Sequence, residues 1–400
     1  MTTLFLDPAS RWLERFARTL AISVALLAAG CGGVGEEGTG VRTESANVGV
    51  LSGVSDTSVT VNGVEYRRQA ATVTDGVGQP LDSGDLRIGM WVEVNGTAAL
   101  DGSDAAADSI RVRAAARGTI QSIAQDGTVT VLDSPVTLGV DTVLDTGADA
   151  SPLAAGDLIE VHGPLGAASG AVVASRVERL ASTPNVALPY VLRGRVSQLQ
   201  ANAKTMTVAG RQVDYRSATQ MLGLGLKNGQ VVRVSSRNAP VDGLPWSIDD
   251  LRSDVTLPAN LGFLYTEGFV DQWQSGPSFL IEDLKVDASA ANGKTTVTAD
   301  GQQVAVFGPR IGGTLKAKSV TVVQPGAPVV FTLVGPISNF NPLTSQFRVR
   351  GVQVDATVAT FVPLSAQAAL ADGVRVRVEG TVRGRGLLLS KVVLAPLPSP

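Results

Sequence analysis

The segment GMWVEVNG (89–96) returns later in the chain as GDLIEVHG (156–163) and GVRVRVEG (373–380). In each copy two glycines enclose a run in which apolar residues alternate with polar ones. Alternation with a period of two is typical of a β-strand that has one face in a core. We therefore interpret the phrase as one strand of a repeated β module. Its valines would face the core, and its variable polar residues would face solvent.

Five segments of similar length can be aligned around this phrase. Each opens with an apolar strand that contains a glycine, namely Gly53, Gly118, Gly194, Gly268 and Gly335. Two alternating strands around a short turn follow, as in SVTVNGVEY (58–66), where Asn-Gly accepts the positive φ angles of a two-residue hairpin. An irregular connection, the glycine phrase and a closing strand complete the copy. In the fifth copy, LSAQAALADG (364–373) predicts one or two helical turns that end at the glycine.

The beginning of the chain has the pattern of a secretory signal. Arg11, Arg15 and Arg18 form a basic region, and an apolar run extends from Leu20 to Ala29. The run is too short for a membrane-spanning helix, which needs about 20 apolar residues, and it therefore indicates a signal peptide.

The apolar run ends in LLAAGCGG (26–33), which resembles the lipobox of bacterial lipoproteins. The resemblance implies that Cys31 is lipidated and anchors the mature chain in a membrane. It also implies the outer membrane, at its periplasmic face or on the cell surface, because Gly32 stands where inner-membrane lipoproteins tend to carry Asp. The glycine-rich stretch that follows predicts a flexible tether.

These observations predict an all-β chain of five tandem small Greek-key, OB-like β-barrel modules after a lipoprotein signal peptide. An open sandwich is the alternative architecture for each module. The predicted boundaries are 1–30 for the signal peptide, 31–46 for the lipidated cysteine and tether, and 47–114, 115–182, 190–254, 261–324 and 329–394 for β repeats 1 to 5.

The combined pattern of a glycine-containing first strand (VxGxV), a TVTVNGV-like hairpin, the phrase G-x-x-V-x-V-x-G and a closing ASxI strand resembles a known repeat family. This family is domain of unknown function 5666, which occurs in bacterial lipoproteins. The resemblance extends over about residues 47–394, five times. It implies a secreted β-repeat lipoprotein and carries no functional residues to transfer.

Residue types that support catalysis or metal binding are scarce. The chain has one cysteine and one histidine, so an intramolecular disulfide is impossible and a zinc site lacks ligands. His162 occupies the slot held by Asn95 and Glu379 in other copies, and we expect it to face solvent. DGSD (101–104) could bind calcium through its carboxylates or could form an ordinary turn. We expect no enzyme activity, cofactor or resident metal, and a carboxylate-dependent hydrolase is the remote alternative.

The distribution of charge is more informative than the net charge of −3. Repeat 2 has eight acids against three arginines, whereas residues 190–240 of repeat 3 have eight basic residues against Asp214 alone. An exposed basic face would attract a polyanion such as lipopolysaccharide, an acidic glycan or DNA, without sequence-specific nucleic-acid readout. The candidate ligand-binding residues are Arg193, Arg195, Lys204, Arg211, Arg216, Arg233 and Arg237.

The leading hypothesis is therefore a non-enzymatic envelope lipoprotein that binds a polyanionic envelope or extracellular ligand through repeat 3. The alternative is a passive structural spacer or assembly scaffold that binds protein partners in the envelope. A third interpretation is intramolecular, because the opposite charges of repeats 2 and 3 could fold the array back on itself.

Overall fold

The structure is a computed structural model. It describes residues 42–99, 102, 104–147, 151–167, 170–181, 188–221, 225–254, 257–291, 297–324, 326–384 and 386–395. The expected signal peptide, Cys31 and the tether up to residue 41 lie outside the described residues.

Module 1 is a closed barrel. Its strands are β1 (Thr43–Val54), β2 (Ser58–Val61), β3 (Val64–Arg67), β4 (Thr72–Thr74), β5 (Trp91–Ala98) and β6 (Ala105–Val112). β1 pairs antiparallel with β2 and β5, β2 pairs antiparallel with β3, and β5 pairs antiparallel with β6. β3 pairs parallel with β6, which closes the ring β1-β2-β3-β6-β5, and the short β4 lies beside β6. This is the Greek-key order of an OB barrel.

Modules 2 and 3 repeat this ring. Module 2 consists of β7 (Ala114–Ile123), β8 (Val129–Val131), β9 (Ser134–Asp145), β10 (Leu158–His162) and β11 (Val172–Ala181). Module 3 consists of β12 (Tyr190–Gln200), β13 (Thr205–Val208), β14 (Arg211–Asp214), β15 (Thr219–Met221), β16 (Val231–Ser236), β17 (Trp246–Ser247) and β18 (Asp250–Ser253). The closing strand of module 3 is divided, so that β17 pairs with β14 and β18 pairs with β16.

Modules 4 and 5 have the same topology. Module 4 consists of β19 (Leu261–Asp271), β20 (Ser278–Ile281), β21 (Leu284–Asp287), β22 (Gln303–Ile311), β23 (Thr314–Lys316) and β24 (Ser319–Val322). Module 5 consists of β25 (Phe331–Asn341), β26 (Gln346–Val349), β27 (Val352–Asp355), β28 (Thr360–Val362), β29 (Arg375–Arg383) and β30 (Gly386–Leu394). Parallel pairs β21–β23 and β27–β30 close the two rings.

One backbone hydrogen bond recurs in all five modules and identifies the copies of the phrase in modules 3 and 4. The N–H of the first glycine of the phrase donates to a carbonyl of the first strand, from Gly89 to Leu51, Gly156 to Ile120, Gly229 to Val196, Gly301 to Val270 and Gly373 to Ile337. The third and fourth copies are therefore GQVVRVSS (229–236) and GQQVAVFG (301–308). All five glycines have φ between +83° and +95°, a region in which a Cβ causes strain.

The second glycine of the phrase permits a close backbone approach. A Cβ at Gly96 would lie 2.0 Å from the carbonyl oxygen of Ala106, and one at Gly163 would lie 2.0 Å from that of Val173. Both contacts are made with the closing strand of the same module. Any side chain at these positions would therefore disturb the closure of the barrel.

The alternating valines face the cores, as the sequence predicts. Val92 and Val94 are fully buried in the core that modules 1 and 5 share, and Val232 and Val234 are fully buried in the core that modules 2 and 3 share. A third core fills module 4. The prediction of closed OB-like barrels is confirmed, and the open sandwich is excluded.

The modules also pair with one another through their first strands. Residues 45–48 of β1 run parallel to residues 263–266 of β19, and the end of β1 runs parallel to the start of β25. β7 pairs antiparallel with β12 at residues 116–117 and 191–192. Module 1 therefore bridges modules 4 and 5, and modules 2 and 3 form a second pair.

Two local expectations differ from the structure. Residues 43–46, expected in the tether, already belong to β1 because they pair with β5 on one side and β19 on the other. The predicted helical turns at 364–373 reduce to a single 3-10 turn at Leu364–Ala366. Within the described residues, no helix combines enough length with enough apolar character to span a bilayer.

The recurring glycine gives a test of the fold. Gly156 has a φ of +95°, and a Cβ there would meet no atom within 4 Å, so backbone strain is the main effect of a substitution. We expect Gly156→Ala to lower the free energy of unfolding by about 1–2 kcal/mol in chemical denaturation. Gly225→Ala is the matched control, since that exposed glycine has neither a left-handed φ nor a close neighbour. Equal stability of the two variants would contradict this role for the phrase.

Candidate functional site: a buried junction of arginines and carboxylates

The outward-pointing residues of the glycine phrase form a surface that we call the junction face of each module. These are the third, fifth and seventh positions of the phrase: Trp91, Glu93 and Asn95; Leu158, Glu160 and His162; Val231, Arg233 and Ser235; Gln303, Ala305 and Phe307; Arg375, Arg377 and Glu379. The expectation that this face meets solvent is wrong for modules 1 to 3. Glu93, Glu160 and Arg233 are only 2%, 8% and 3% exposed, because the junction faces of these modules are covered by neighbouring modules.

Asp254, which follows β18, lies at the centre of this junction with a side chain that is 1% exposed. Arg193 Nε donates to Asp254 Oδ2 at 2.7 Å, and Arg233 Nη2 lies 3.4 Å from Oδ1. Arg113, in the short link between modules 1 and 2, also donates to Oδ2. Burial alone would raise the pKa of Asp254, but the attraction of the three guanidinium groups outweighs it and holds the pKa well below its usual range.

Arg233 is the least compensated of the three cations. Burial, together with the nearby positive charges of Arg193, Arg113 and Arg111, lowers its pKa to about 10 despite the attraction of Asp254. Its Nη1 donates to the carbonyl oxygen of Ala114 in module 2.

An acidic turn of module 4 closes another side of the junction. Glu282 accepts hydrogen bonds from Arg193 Nη2 and, at 3.2 Å, from the backbone N–H of Leu165 in module 2. The adjacent Asp283 accepts a bond of 2.7 Å from the backbone N–H of Val231. The turn between β20 and β21 therefore contacts modules 2 and 3 through two consecutive carboxylates.

The junction faces of modules 1 and 2 supply further ion pairs. Glu93 lies 2.6 Å from Arg111 Nη2, and Arg117 Nε donates to Glu160 at 2.6 Å. His162 Nε2 lies 2.9 Å from Glu160 Oε1. Burial raises the pKa of Glu160, but the adjacent His162 and the charge of Arg117 together hold it well below its usual range.

Two carboxylates next to the junction have raised pKa values. Burial raises the pKa of Glu267, which pairs with Ala305 across strands β19 and β22, to about 7. Burial also raises the pKa of Asp283 to about 6, although the Val231 N–H and the charge of Arg195 oppose this. Glu267 therefore gains its proton as the pH falls through about 7, and Asp283 as it falls through about 6.

The structure does not bring the seven basic residues predicted in repeat 3 together on one exposed face. Arg193 and Arg233 are buried in the junction, and Arg211 is 5% exposed and pairs with Asp133 of module 2 at 2.8 Å. Arg195 pairs with Asp271 of module 4 at 2.5 Å. Four of the seven cations therefore take part in contacts between modules or inside the junction.

The other three predicted residues lie at the surface. Arg216 pairs with its neighbour Asp214 at 2.5 Å. Lys204 and Arg237 are exposed, and Lys204 Nζ lies 5.8 Å from the centre of the Tyr215 ring. These cations remain accessible to a ligand.

The expectation of a solvent-facing His162 is wrong, because its side chain is fully buried. In the candidate calcium segment, Asp104 lies within 2.7 Å of both Arg42 and Arg67, and Asp101 lies outside the described residues. Where the structure describes the chain, no cluster of three or more His, Cys, Asp or Glu side chains is arranged to hold a metal ion.

A cavity of about 300 Å³ lies beside the junction, between modules 1, 2 and 3. Its charged lining includes Arg117, Glu160 and Arg233, and its apolar lining includes Leu81 and Val191. Glycoside hydrolysis needs a carboxylic acid that keeps its proton near neutral pH. Glu160 is ion-paired and deprotonated, so it does not fit that role.

Comparison with protein-family models gives four matches, to residues 48–111, 117–178, 193–243 and 334–392, and each is to Domain of unknown function (DUF5666). Together the four segments cover more than half of the chain. The chain belongs to the DUF5666 family. The matched segments fall in modules 1, 2, 3 and 5, and module 4, outside them, closes its ring in the same order. A comparison with curated proteins finds no match to the chain.

The family pattern accounts for the glycines and valines of this DUF5666 chain, but it does not reveal the junction. The sequence contained one indication of the junction. The outward positions of the phrase in modules 1 to 3 carry charges, and charged residues also stand opposite them on the neighbouring strands. Glu93 faces Arg111, Glu160 faces Arg117, and Arg233 faces Arg193 in the strand register. Arg233 facing Arg193 is the informative case, because two facing arginines require a carboxylate from elsewhere.

Removing the central carboxylate tests the junction. Asp254→Asn keeps the shape of the side chain but leaves three buried guanidinium groups without their shared anion. We expect the free energy of unfolding to fall by about 3–5 kcal/mol in chemical denaturation. Asp242→Asn, at an exposed position of the same module, should change it by less than about 0.5 kcal/mol. A small effect at both positions would show that Asp254 does not hold the modules together.

The raised pKa of Glu267 predicts that the free energy of unfolding depends on pH. Its pKa in the folded protein, about 7, lies above the ordinary value, so the folded state binds the proton more tightly than the unfolded state. The stabilisation from that proton is present at low pH and is lost as the pH rises through about 7. We expect Glu267→Gln to gain stability relative to the unmodified chain between pH 5 and pH 8, by up to about 2 kcal/mol.

Denaturation curves at the two pH values measure this difference, with Glu44→Gln as a control because Glu44 is exposed. A Glu267→Gln difference that stays constant with pH would contradict the prediction.

Proposed function

We propose that this DUF5666 chain is a non-enzymatic envelope lipoprotein that acts as a rigid assembly scaffold for protein partners. The observation that carries the proposal is the sharing of Asp254 by Arg113, Arg193 and Arg233. Charged residues that could have served a ligand instead join the modules. The resemblance of the N-terminus to a lipoprotein signal supports an anchor at Cys31 and a place at the outer membrane.

Rigidity distinguishes a scaffold from a flexible string of domains. In a flexible string, modules meet through small polar surfaces and move relative to one another. Here, first strands of different modules pair through their backbones, and buried ion pairs link modules 1, 2, 3 and 4. A body held in this way presents surface features at fixed distances, which is the property that an assembly scaffold needs.

Polyanion binding through module 3 is the second candidate. It is favoured by one observation, that Lys204, Lys227 and Arg237 remain exposed on the most basic module. The three arginines Arg193, Arg211 and Arg233 are buried and could contribute only through long-range attraction. The remote alternative is a carboxylate-dependent hydrolase, and Glu160 of the cavity does not fit its general acid because it is ion-paired with Arg117.

Small-angle scattering and a binding panel on the chain from Gly32 onwards test the proposal together. For a compact body of the described length we expect a radius of gyration of about 21 Å, unchanged between low salt and 0.5 M salt. We also expect no saturable binding to lipopolysaccharide, acidic glycans or DNA at either salt concentration.

A larger radius that grows with salt would contradict the rigid scaffold. Saturable, salt-sensitive binding that is lost in a Lys204→Glu, Arg237→Glu variant would favour the polyanion candidate instead. Membrane fractionation of a Cys31→Ser variant tests the anchor independently, and we expect this variant to leave the membrane fraction.

A further inference from the structure

The junction face of module 5 differs from those of modules 1 to 3 because it is open. The side chain of Arg377 is 47% exposed and that of Glu379 is 28% exposed. The equivalent side chains of Glu93 and Arg233 are 3% and 4% exposed. Two of the three residues of this face are therefore accessible, whereas Arg375 at its edge is 13% exposed and pairs with Asp56 of module 1.

Elsewhere in this chain, acidic turns contact arginines at or beside the junction faces. The turn between β20 and β21 of module 4 places Glu282 on Arg193, which stands opposite Arg233 of the module 3 face, and Asp283 accepts from the backbone N–H of Val231 in that face. At the edge of the module 5 face, Asp56 from the turn between β1 and β2 pairs with Arg375. Both contacts place a carboxylate from a hairpin turn on an arginine of a barrel wall.

The surface around Arg377 has the composition of a protein interface. In the strand register Arg377 lies between Val334 of β25 and Val393 of β30, both partly buried. The exposed Lys391 stands opposite Glu379 in β30. The face therefore combines two accessible cations with a small apolar strip. Arginine and apolar side chains are enriched where proteins bind proteins.

A polyanion fits this face poorly. Extended polyanions bind rows of cations along a groove. Here Glu379 stands between the two cations, with its Oε1 3.3 Å from Arg377 Nε. A carboxylate at the centre of the face repels a continuous row of negative charge. A short turn with one or two carboxylates can reach Arg377 and Lys391 from either side of it.

We propose that the junction face of module 5 docks an acidic turn of a partner protein, in the way that module 3 docks the Glu282–Asp283 turn. This inference rests on the proposed scaffold function and names the surface through which the scaffold holds a partner. The partner presents two neighbouring carboxylates on a hairpin, flanked by apolar residues that cover Val334 and Val393.

A peptide taken from the chain itself can serve as a probe for the junction face of module 5. A cyclised peptide of residues 278–287, SFLIEDLKVD, carries the acidic turn that fills the face of module 3. That face is already occupied by the same turn within the chain, whereas the face of module 5 is open. The control peptide carries Glu282→Gln and Asp283→Asn, which keep the shape and remove the charge.

Titration of the labelled peptides with the full chain in detergent, followed by fluorescence anisotropy, measures the binding. We expect the acidic peptide to bind at least about tenfold more tightly than the neutral one at low salt, and Arg377→Glu with Lys391→Glu to weaken it about tenfold or more. Lys204→Glu with Arg237→Glu, exposed cations of module 3, should leave the affinity within about twofold. Arg377→Met with Lys391→Met is a second variant that adds no repulsive charge and should lose the same binding.

The absence of peptide binding, or an equal loss in the module 3 control, would overturn the proposal. Concentration-dependent dimerisation that Arg377→Glu abolishes would assign the face to a second copy, and DNA binding that the same variant abolishes would assign it to a polyanion. If the scaffold function is wrong, small-angle scattering shows this independently, as a larger radius of gyration that depends on salt. A compact chain that does not bind the peptide overturns only this inference.

Discussion

The assembly of this protein depends on one buried carboxylate that pairs with two arginines of module 3 and with one from the link between modules 1 and 2. Asp254 is buried with Arg113, Arg193 and Arg233, and none of these three cations has enough water around it to remain charged at low cost. Burying such charges is unfavourable unless the pairing is complete. The modules are therefore interdependent, because separating module 3 from the link between modules 1 and 2 would leave unpaired charges on both sides.

Internal repetition makes this arrangement possible. Each module uses the same strand, which opens with a left-handed glycine, and that glycine and the inward apolar residues are required by the barrel itself. The barrel does not constrain the residues at the outward positions, so these residues can differ from copy to copy. Glu93, Glu160 and Arg233 occupy the same slot in three modules and meet different partners. The fold and the assembly are thus encoded on opposite faces of one strand.

In a tandem array, charged residues on the outward face of a strand can pair with other modules instead of binding a ligand. The excess of basic residues in repeat 3 suggests an exposed surface for a polyanion, yet Arg193, Arg211 and Arg233 are buried in ion pairs. Their acidic partners, among them Asp133, Asp254 and Glu282, come from three modules. The intramolecular interpretation of the charge asymmetry therefore agrees with the contacts observed. An uneven charge between repeats can reflect complementary interfaces as readily as a ligand site.

The strands and their division into five modules could be predicted from the sequence, because strand alternation and left-handed glycines are local properties that a few neighbouring residues specify. The burial of residues such as Val92 and Val94 follows from that local pattern, whereas closure of the barrels, which the sequence left open, is seen only in pairs such as β3–β6. The packing of the modules determines which outward residues are buried, as His162 and Trp91 are, and which are exposed, as Arg377 is. Arg113 and Asp254 stand 141 positions apart. A period of two tells which side of a strand faces away from its own core, but it carries no information about which other module covers that side.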